Sequence, residues 1–191
     1  MSSHHIVREK QEPALFILNI ENFDEEYLGQ LLEWSPTILV AETEVAKVLS
    51  MGIKIDCVLT SQTEISYQQE HVKTLLAGNN MLETALKYLI SEGYPAVNII
   101  SNHFLAKEYL YYVPSIDLVI FFKDLKIYPI KSGFSKWKSE GQELFVYHPE
   151  TIPNLSTSGL EEIENGHYYT EKDGFFSFTF EPPYVFIAEK I

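Results

Sequence analysis

The sequence predicts two domains of different class: an N-terminal α/β domain with a mostly parallel sheet over residues 1–113, and a C-terminal β-sandwich or open barrel over residues 114–191. Three observations carry this reading. Up to Val113, short apolar runs alternate with amphipathic segments of helical spacing, as expected of strands covered by crossover helices. Beyond Pro114 the texture changes to closely spaced β-rich runs separated by turn residues. Within that half, Phe175-Phe-Ser-Phe-Thr-Phe180 alternates with period two, as a strand with one buried face should.

In chain order, residues 14–20 form a continuous apolar run and read as a buried strand. Residues 25–34 place Leu28, Leu31 and Leu32 on one helical face, with Asn22 or Asp24 as the N-cap. Residues 37–41 are a second strand. Residues 43–51 are a short helix with Val45, Val48 and Leu49 inward, closed by Gly52. Residues 57–60 are a third strand, and residues 71–77 fit strand or helix. Leu82, Ala85, Leu86, Leu89 and Ile90 follow at helical spacing up to Gly93. Residues 96–101 are a buried strand and residues 105–112 a helix. Strands are then expected at 116–122, 126–130, 143–147, 175–180 and 184–189.

The chain has 191 residues, 46% of them hydrophobic, enough for a sizeable core. The formal net charge of −13, with the acids dispersed, argues against nucleic-acid and anionic-membrane partners. The single cysteine, Cys57, excludes an internal disulfide and a zinc cluster; its apolar surroundings make it a buried thiol. Residues 1–13 are polar, without the apolar segment of a secretory signal, and no stretch approaches the ~20 apolar residues of a membrane span. A cytoplasmic protein is expected. His4 and His5 are assigned no role. Walker A, Gly-x-Ser-x-Gly and His-Glu-x-x-His patterns are absent.

Residues 38–64 hold the most informative pattern. One strand runs into Glu42-Thr43-Glu44, and a short helix leads to Gly52-Ile53-Lys54-Ile55-Asp56. A second strand then runs into Thr60-Ser61-Gln62-Thr63-Glu64. Carboxylates and hydroxyls thus gather after strand ends, where open α/β sheets place their sites. Further on come Asn79-Asn80-Met81-Leu82-Glu83-Thr84-Ala85-Leu86, then Ser101-Asn102-His103-Phe104-Leu105-Ala106, and Thr157-Ser158-Gly159-Leu160 in the β-rich half.

This order of elements resembles thiamin pyrophosphokinase. In that family the corresponding segments read Asp-Gly-Gly-Ala, Gly-Ile-x-Pro-Asp and Gly-Asp-x-Asp-Ser. The resemblance implies an α/β domain followed by a β-sandwich, a homodimer, and thiamin as ligand, with Mg2+ and ATP as cofactors if the chain is active. It places Glu42 at the first aspartate, with Thr43 and Glu44 in place of the glycines. Asp56 matches the aspartate after the missing proline. Ser61 and Thr63 stand where two aspartates belong, with Glu64 one position late, and Met81 replaces another aspartate. Asn102-His103 resembles the family's Asp-His, without its glycines and arginine. Asp173 lies near the family's thiamin-contacting Ser-Asn pair. By resemblance, then, Glu42, Asp56 and Glu64 are the catalytic candidates and Glu42 and Glu64 the metal candidates. Ser61, Thr63, Asn102, His103 and Asp173 are the ligand-binding candidates.

Magnesium demands hard oxygen ligands, and phosphoryl-type transfer is catalysed by positioning and charge neutralisation. Loss of the acids therefore predicts a catalytically degenerate relative with a ligand-binding or structural role. The alternatives are an active enzyme with a rearranged metal site, or a relative acting on another small molecule. Plain structural readings stand beside these. His103 is a cap or core histidine, Asp173-Gly174 a hairpin turn, and Trp137 a packed ring between solvated Lys136 and Lys138.

Overall fold

The computed structural model describes residues 10, 12–62, 71–78 and 80–191. His4, His5, Thr63, Glu64 and Asn79 lie outside these described residues. The chain divides into two compact units, one made of the described residues of Met1–Phe104 with Tyr112–Leu118, the other of Leu105–Tyr111 with Val119–Ile191. Among the described residues no helix is long and apolar enough to cross a membrane.

The first unit contains β1 (Ala14–Ile17), α1 (Glu25–Leu32), β2 (Ile38–Ala41), α2 (Val45–Ser50), β3 (Cys57–Thr60), β4 (Lys73–Leu76), α3 (Met81–Ser91) and β5 (Ala96–Ile100). Its strands lie in the order β5-β1-β2-β3-β4, and each neighbouring pair is parallel. β1 is the innermost in burial: all four of its residues are 0% exposed. It stops three residues short of the apolar run, because the N–H groups of Leu18 and Asn19 both turn to the Ile100 carbonyl, at 3.0 and 3.1 Å. Asp24, not Asn22, caps α1, accepting from Tyr27 N at 2.7 Å; Asn22 sits at φ 58°. On α1, Leu28 is buried and Leu31 and Leu32 are half-buried.

The segment expected as one helix over 43–51 begins as a 3₁₀ turn at Glu42–Glu44 and becomes α2 only at Val45. Residues 71–77 resolve as an edge strand, β4, aligned in parallel with β3. Its mostly exposed side chains explain why neither period shows in its sequence. Asn80 caps α3 by accepting from Glu83 N at 2.9 Å, and Leu82, Ala85, Leu86 and Leu89 are buried.

The second unit contains α4 (Ala106–Tyr109), a single turn rather than the helix expected over 105–112. Strands follow: β6 (Asp117–Phe122, of which Val119 onward belongs to this unit), β7 (Leu125–Ile130), β8 (Phe134–Lys138), β9 (Glu143–Val146), β10 (Ser156–Ser158), β11 (Leu160–Glu164), β12 (His167–Thr170), β13 (Gly174–Thr179) and β14 (Val185–Lys190). One antiparallel sheet runs β11-β12-β9-β14-β7-β6, and a smaller one β10-β13-β8. Ile130, Leu144, Val146, Leu160, Tyr168, Val185 and Ile187 of the larger sheet bury one cluster with Phe176 and Phe178 of the smaller. As the period-two pattern requires, Phe176, Phe178 and Phe180 are buried while Phe175 is 72% exposed.

Four strands escaped the sequence reading: β8, β10, β11 and β12. The Lys136-Trp137-Lys138 expectation is reversed, since β8 turns its lysines inward and leaves Trp137 53% exposed, directly opposite Phe175. Asp173-Gly174 is not a hairpin turn either, because β12 and β13 belong to different sheets.

Several connections in this unit are corners between sheets, and the tightest is Gly159. It adopts φ +71°, and a Cβ there would lie 2.7 Å from the Phe175 carbonyl oxygen. Gly141 has a similar φ of +73° with open space around it. Gly159→Ala is therefore expected to lose more stability than Gly141→Ala, whose cost is only the left-handed strain of about 1–3 kcal/mol. Urea unfolding of the two variants checks this; equal losses would mean the corner yields to the extra methyl.

Candidate functional site

The parallel register sets Ala41 beside Leu59, so β2 and β3 leave the sheet together and deliver Glu42 next to Thr60 and Ser61. Three donors converge on the Glu42 carboxylate. The Thr60 hydroxyl donates to Oε2, the Ser61 N–H donates to the same oxygen at 3.2 Å, and the Ser61 hydroxyl donates to Oε1 at 3.0 Å. Thr60 Oγ1 in turn accepts from Gln62 N at 3.0 Å, which fixes its rotor. Glu42 is consequently held below the usual carboxylate pKa. The Thr60 hydrogen bond contributes most, and the Ser61 hydroxyl and N–H help it outweigh partial desolvation.

Glu44, two residues on, is buried at 9% exposure. It accepts from Ile20 N at 3.2 Å, from Asn19 Nδ2 at 3.3 Å and from Thr43 Oγ1 at 3.4 Å. Lys47 Nζ donates to the Ile20 carbonyl at 3.3 Å. Glu44 thus ties the exit of β1 to the turn after β2. The sequence reading treated it only as bulk replacing a glycine. An acid placed right after a buried strand and just before a helix was the available signal for this anchoring role.

The other candidates are dispersed. Asp56 sits at the entry of β3, not its exit. Its Oδ2 accepts from Ile38 N at 2.9 Å, its N–H donates to the Ile38 carbonyl at 3.1 Å, and its carbonyl accepts from Lys73 N at 2.9 Å. All four residues of β3 separate Asp56 from Ser61, five steps or about 16 Å at ~3.3 Å per residue. It stitches three strand starts and stands apart from Glu42. Asn102 and His103 are exposed at the exit of β5, two strands from β2. The buried Ser101 hydroxyl organises that turn, donating to the His103 carbonyl at 2.8 Å and accepting from His103 N at 3.2 Å. Asp173, in the second unit, is exposed and accepts from Glu140 N at 2.8 Å, which joins two sheet-to-sheet connections. Thr63 and Glu64 lie outside the described residues. Burial pushes the Cys57 thiol up to about 12, so it is an inert core group.

The donor chemistry at these exits does not fit a magnesium site. Octahedral magnesium asks for free hard oxygens. The described residues supply two carboxylates there: Glu42, already accepting three hydrogen bonds with two hydroxyls committed to it, and Glu44, buried and likewise accepting three. Among the described residues no three of His, Cys, Asp and Glu converge to hold a metal ion.

A lowered folded-state pKa at Glu42 means that its stabilisation is complete above the unfolded carboxylate value, about 4.3, and is lost as pH falls through the folded value. The stability difference between wild type and Glu42→Gln should therefore be constant near neutrality and shrink on acidification. Chemical unfolding of both proteins across that range checks this; a pH-independent difference would exclude the ionised clamp.

No protein-family model and no curated protein matches the sequence. Solved structures do. Thiamin pyrophosphokinase from Geobacillus thermodenitrificans superposes with a TM-score of 0.67 at 9% identity, covering 93% of this chain and 97% of that one. The enzyme from Candida albicans gives 0.65 at 11% identity, covering 94% and 89%. The yeast enzyme gives 0.62 at 11% identity, covering 97% and 88%. Over nearly its whole length, this chain has the fold of the thiamin pyrophosphokinases.

Proposed function

We propose that the chain is a thiamin pyrophosphokinase-like protein that has lost pyrophosphate transfer and retains a ligand-binding role. Its ligand is thiamin or a similar small molecule, taken up by a cytoplasmic homodimer. Residues 1–113 correspond to the nucleotide-binding-like domain and residues 114–191 to the thiamin-binding-like one. The observation that carries this reading is the state of Glu42: its two oxygens accept from the Thr60 hydroxyl and from the Ser61 hydroxyl and N–H. Ser61 stands where the resemblance expects an acid, so a partner in charge neutralisation has become a donor to the remaining carboxylate. Single preorganised electrostatic contacts are typically worth about a hundredfold or more in rate. Replacing several acids and the Gly-Arg loop leaves little with which to stabilise a transferring pyrophosphate. An active site using Mg2+ and ATP would need Glu42, Asp56 and Glu64 to act together, and Asp56 stands at the far end of β3.

The test combines turnover with binding. Pure protein at high concentration, given thiamin, ATP and magnesium, is expected to form no thiamin diphosphate. Calorimetry with thiamin alone is expected to give saturable binding. Turnover that disappears in Glu42→Gln would establish the active alternative, and absence of thiamin binding would remove thiamin as the ligand. Sedimentation equilibrium is expected to give a dimer.

A further inference from the structure

The inner faces of the second unit's two sheets change character along their length. On β14, Val185, Ile187 and Glu189 point the same way; on β7 their cross-strand partners are Ile130, Tyr128 and Lys126. β8 contributes Phe134, Lys136 and Lys138 from the opposing sheet. At one end these rows are apolar: Ile130, Val185 and Ile187 belong to the buried cluster, with Phe134 packed on it. At the other end they are charged. Glu189 is only 6% exposed. Its Oε1 accepts from Lys136 Nζ at 2.7 Å and from the Tyr128 hydroxyl, and its Oε2 pairs with Lys138 Nζ at 2.7 Å.

The charges in this cluster do not balance. Burial raises the pKa of Glu189, but the hydrogen bonds from Lys136, Lys138 and Tyr128 outweigh it and hold the carboxyl below its ordinary value, hence ionised. One carboxylate therefore faces three ammonium groups. Among the described residues Lys126 makes no ion pair of its own. Burial above all, with repulsion from Lys136 and Lys138, lowers its pKa against the pull of Glu189. A surplus of two positive charges collects here in a chain whose net charge is −13. Partly buried cations are expensive unless paired. The cluster is open to solvent at Lys136, whose side chain is 42% exposed, while Lys138 is 15% exposed.

We propose that Lys126, Lys136 and Lys138 form a binding site for a phosphate dianion at this end of the sandwich, with Glu189 and Tyr128 positioning the lysines. A dianion matches the surplus charge, which a single carboxylate would only halve. Tetrahedral oxygens reach three point-charge donors, as lysine-based phosphate sites require. The acidity of the rest of the chain disfavours a long polyanion. The phosphate is either the free ion or the monoester of a small molecule.

Calorimetric titration of the full chain with inorganic phosphate, with glycerol 3-phosphate and with chloride at matched ionic strength separates these sources. Expected is saturable phosphate binding that chloride does not reproduce. Lys126→Gln should weaken it about tenfold or more, as loss of one charge-assisted bond would. Lys136→Gln, at a lysine whose side chain is 42% exposed, should do the same and carries the test alone if Lys126→Gln fails to fold. Lys126→Arg should restore binding, and Lys54→Gln, an exposed lysine of the first unit, should leave it unchanged. Equal affinity for the monoester would identify a phosphorylated small molecule as the ligand, and preference for the free ion would identify inorganic phosphate. No saturation beyond chloride, or binding that survives Lys126→Gln with Lys136→Gln, would overturn the proposal.

Discussion

The polar groups at the ends of the first unit's parallel strands are placed by the complete exclusion of β1 from water. Ala14–Ile17 is 0% exposed throughout, and its backbone is satisfied by parallel ladders to β2 on one side and β5 on the other. A strand in that situation tolerates no polar side chain along its length, and its N–H and C=O groups must all be paired within the sheet. Chemistry-bearing residues are therefore displaced to the ends of the strands. At the exits these are Glu42, Glu44, Ser61 and Ser101; at the entries Asp56 serves the same organising purpose. The two ends differ in consequence. Asp56 is spent on aligning strand starts, while the exits present turns whose side chains reach solvent.

Two carboxylates in this chain illustrate two ways of keeping an acid ionised. Glu42 is held by hydroxyl and amide dipoles at a half-exposed strand exit, so its charge is distributed over neutral donors. Glu189 is nearly buried and is held by ammonium groups that outnumber it. The first arrangement consumes the acceptor capacity of the carboxylate and leaves it little to offer a cation. The second leaves positive charge over. The local charge offered to a ligand therefore differs in sign between the two places, even though both are centred on glutamate.

That the early strands pair in parallel and the later ones antiparallel was legible from the sequence, because periodicity reports how many faces of a strand are buried. β3 was placed to the residue, since Cys57–Thr60 is wholly apolar up to Thr60. β8, β10 and β11 were not, because lysines, serines and glutamates dominate their sequences, and neither was β12, which is only His-Tyr-Tyr-Thr. Their burial depends on which neighbouring strand covers them, information that no local window contains. At the candidate site, the shared position of Glu42 and Ser61 could be read from the motif frame. Saturation of Glu42 by hydroxyl donors could not, because it depends on the β2–β3 register. The lysine cluster was invisible for a related reason. Lys126, Lys136, Lys138 and Glu189 come from three strands, and the inward turn of Lys136 and Lys138 inverts the usual expectation for lysines beside a tryptophan.

The smaller sheet of the second unit also imposes an order of events on the growing chain. β13 is its central strand, and among the described residues both β8 and β10 pair only with it. The Ser135–Phe176 hydrogen bond alone spans 41 residues. The loop-closure entropy of that separation has to be met before the contact gives anything back. During synthesis, Phe134 and Trp137 emerge well ahead of the strand that will cover one and oppose the other. For that interval β8 is an open-edged segment with an aromatic on each face, and the lysines flanking Trp137 act as its built-in guard against premature association with other chains.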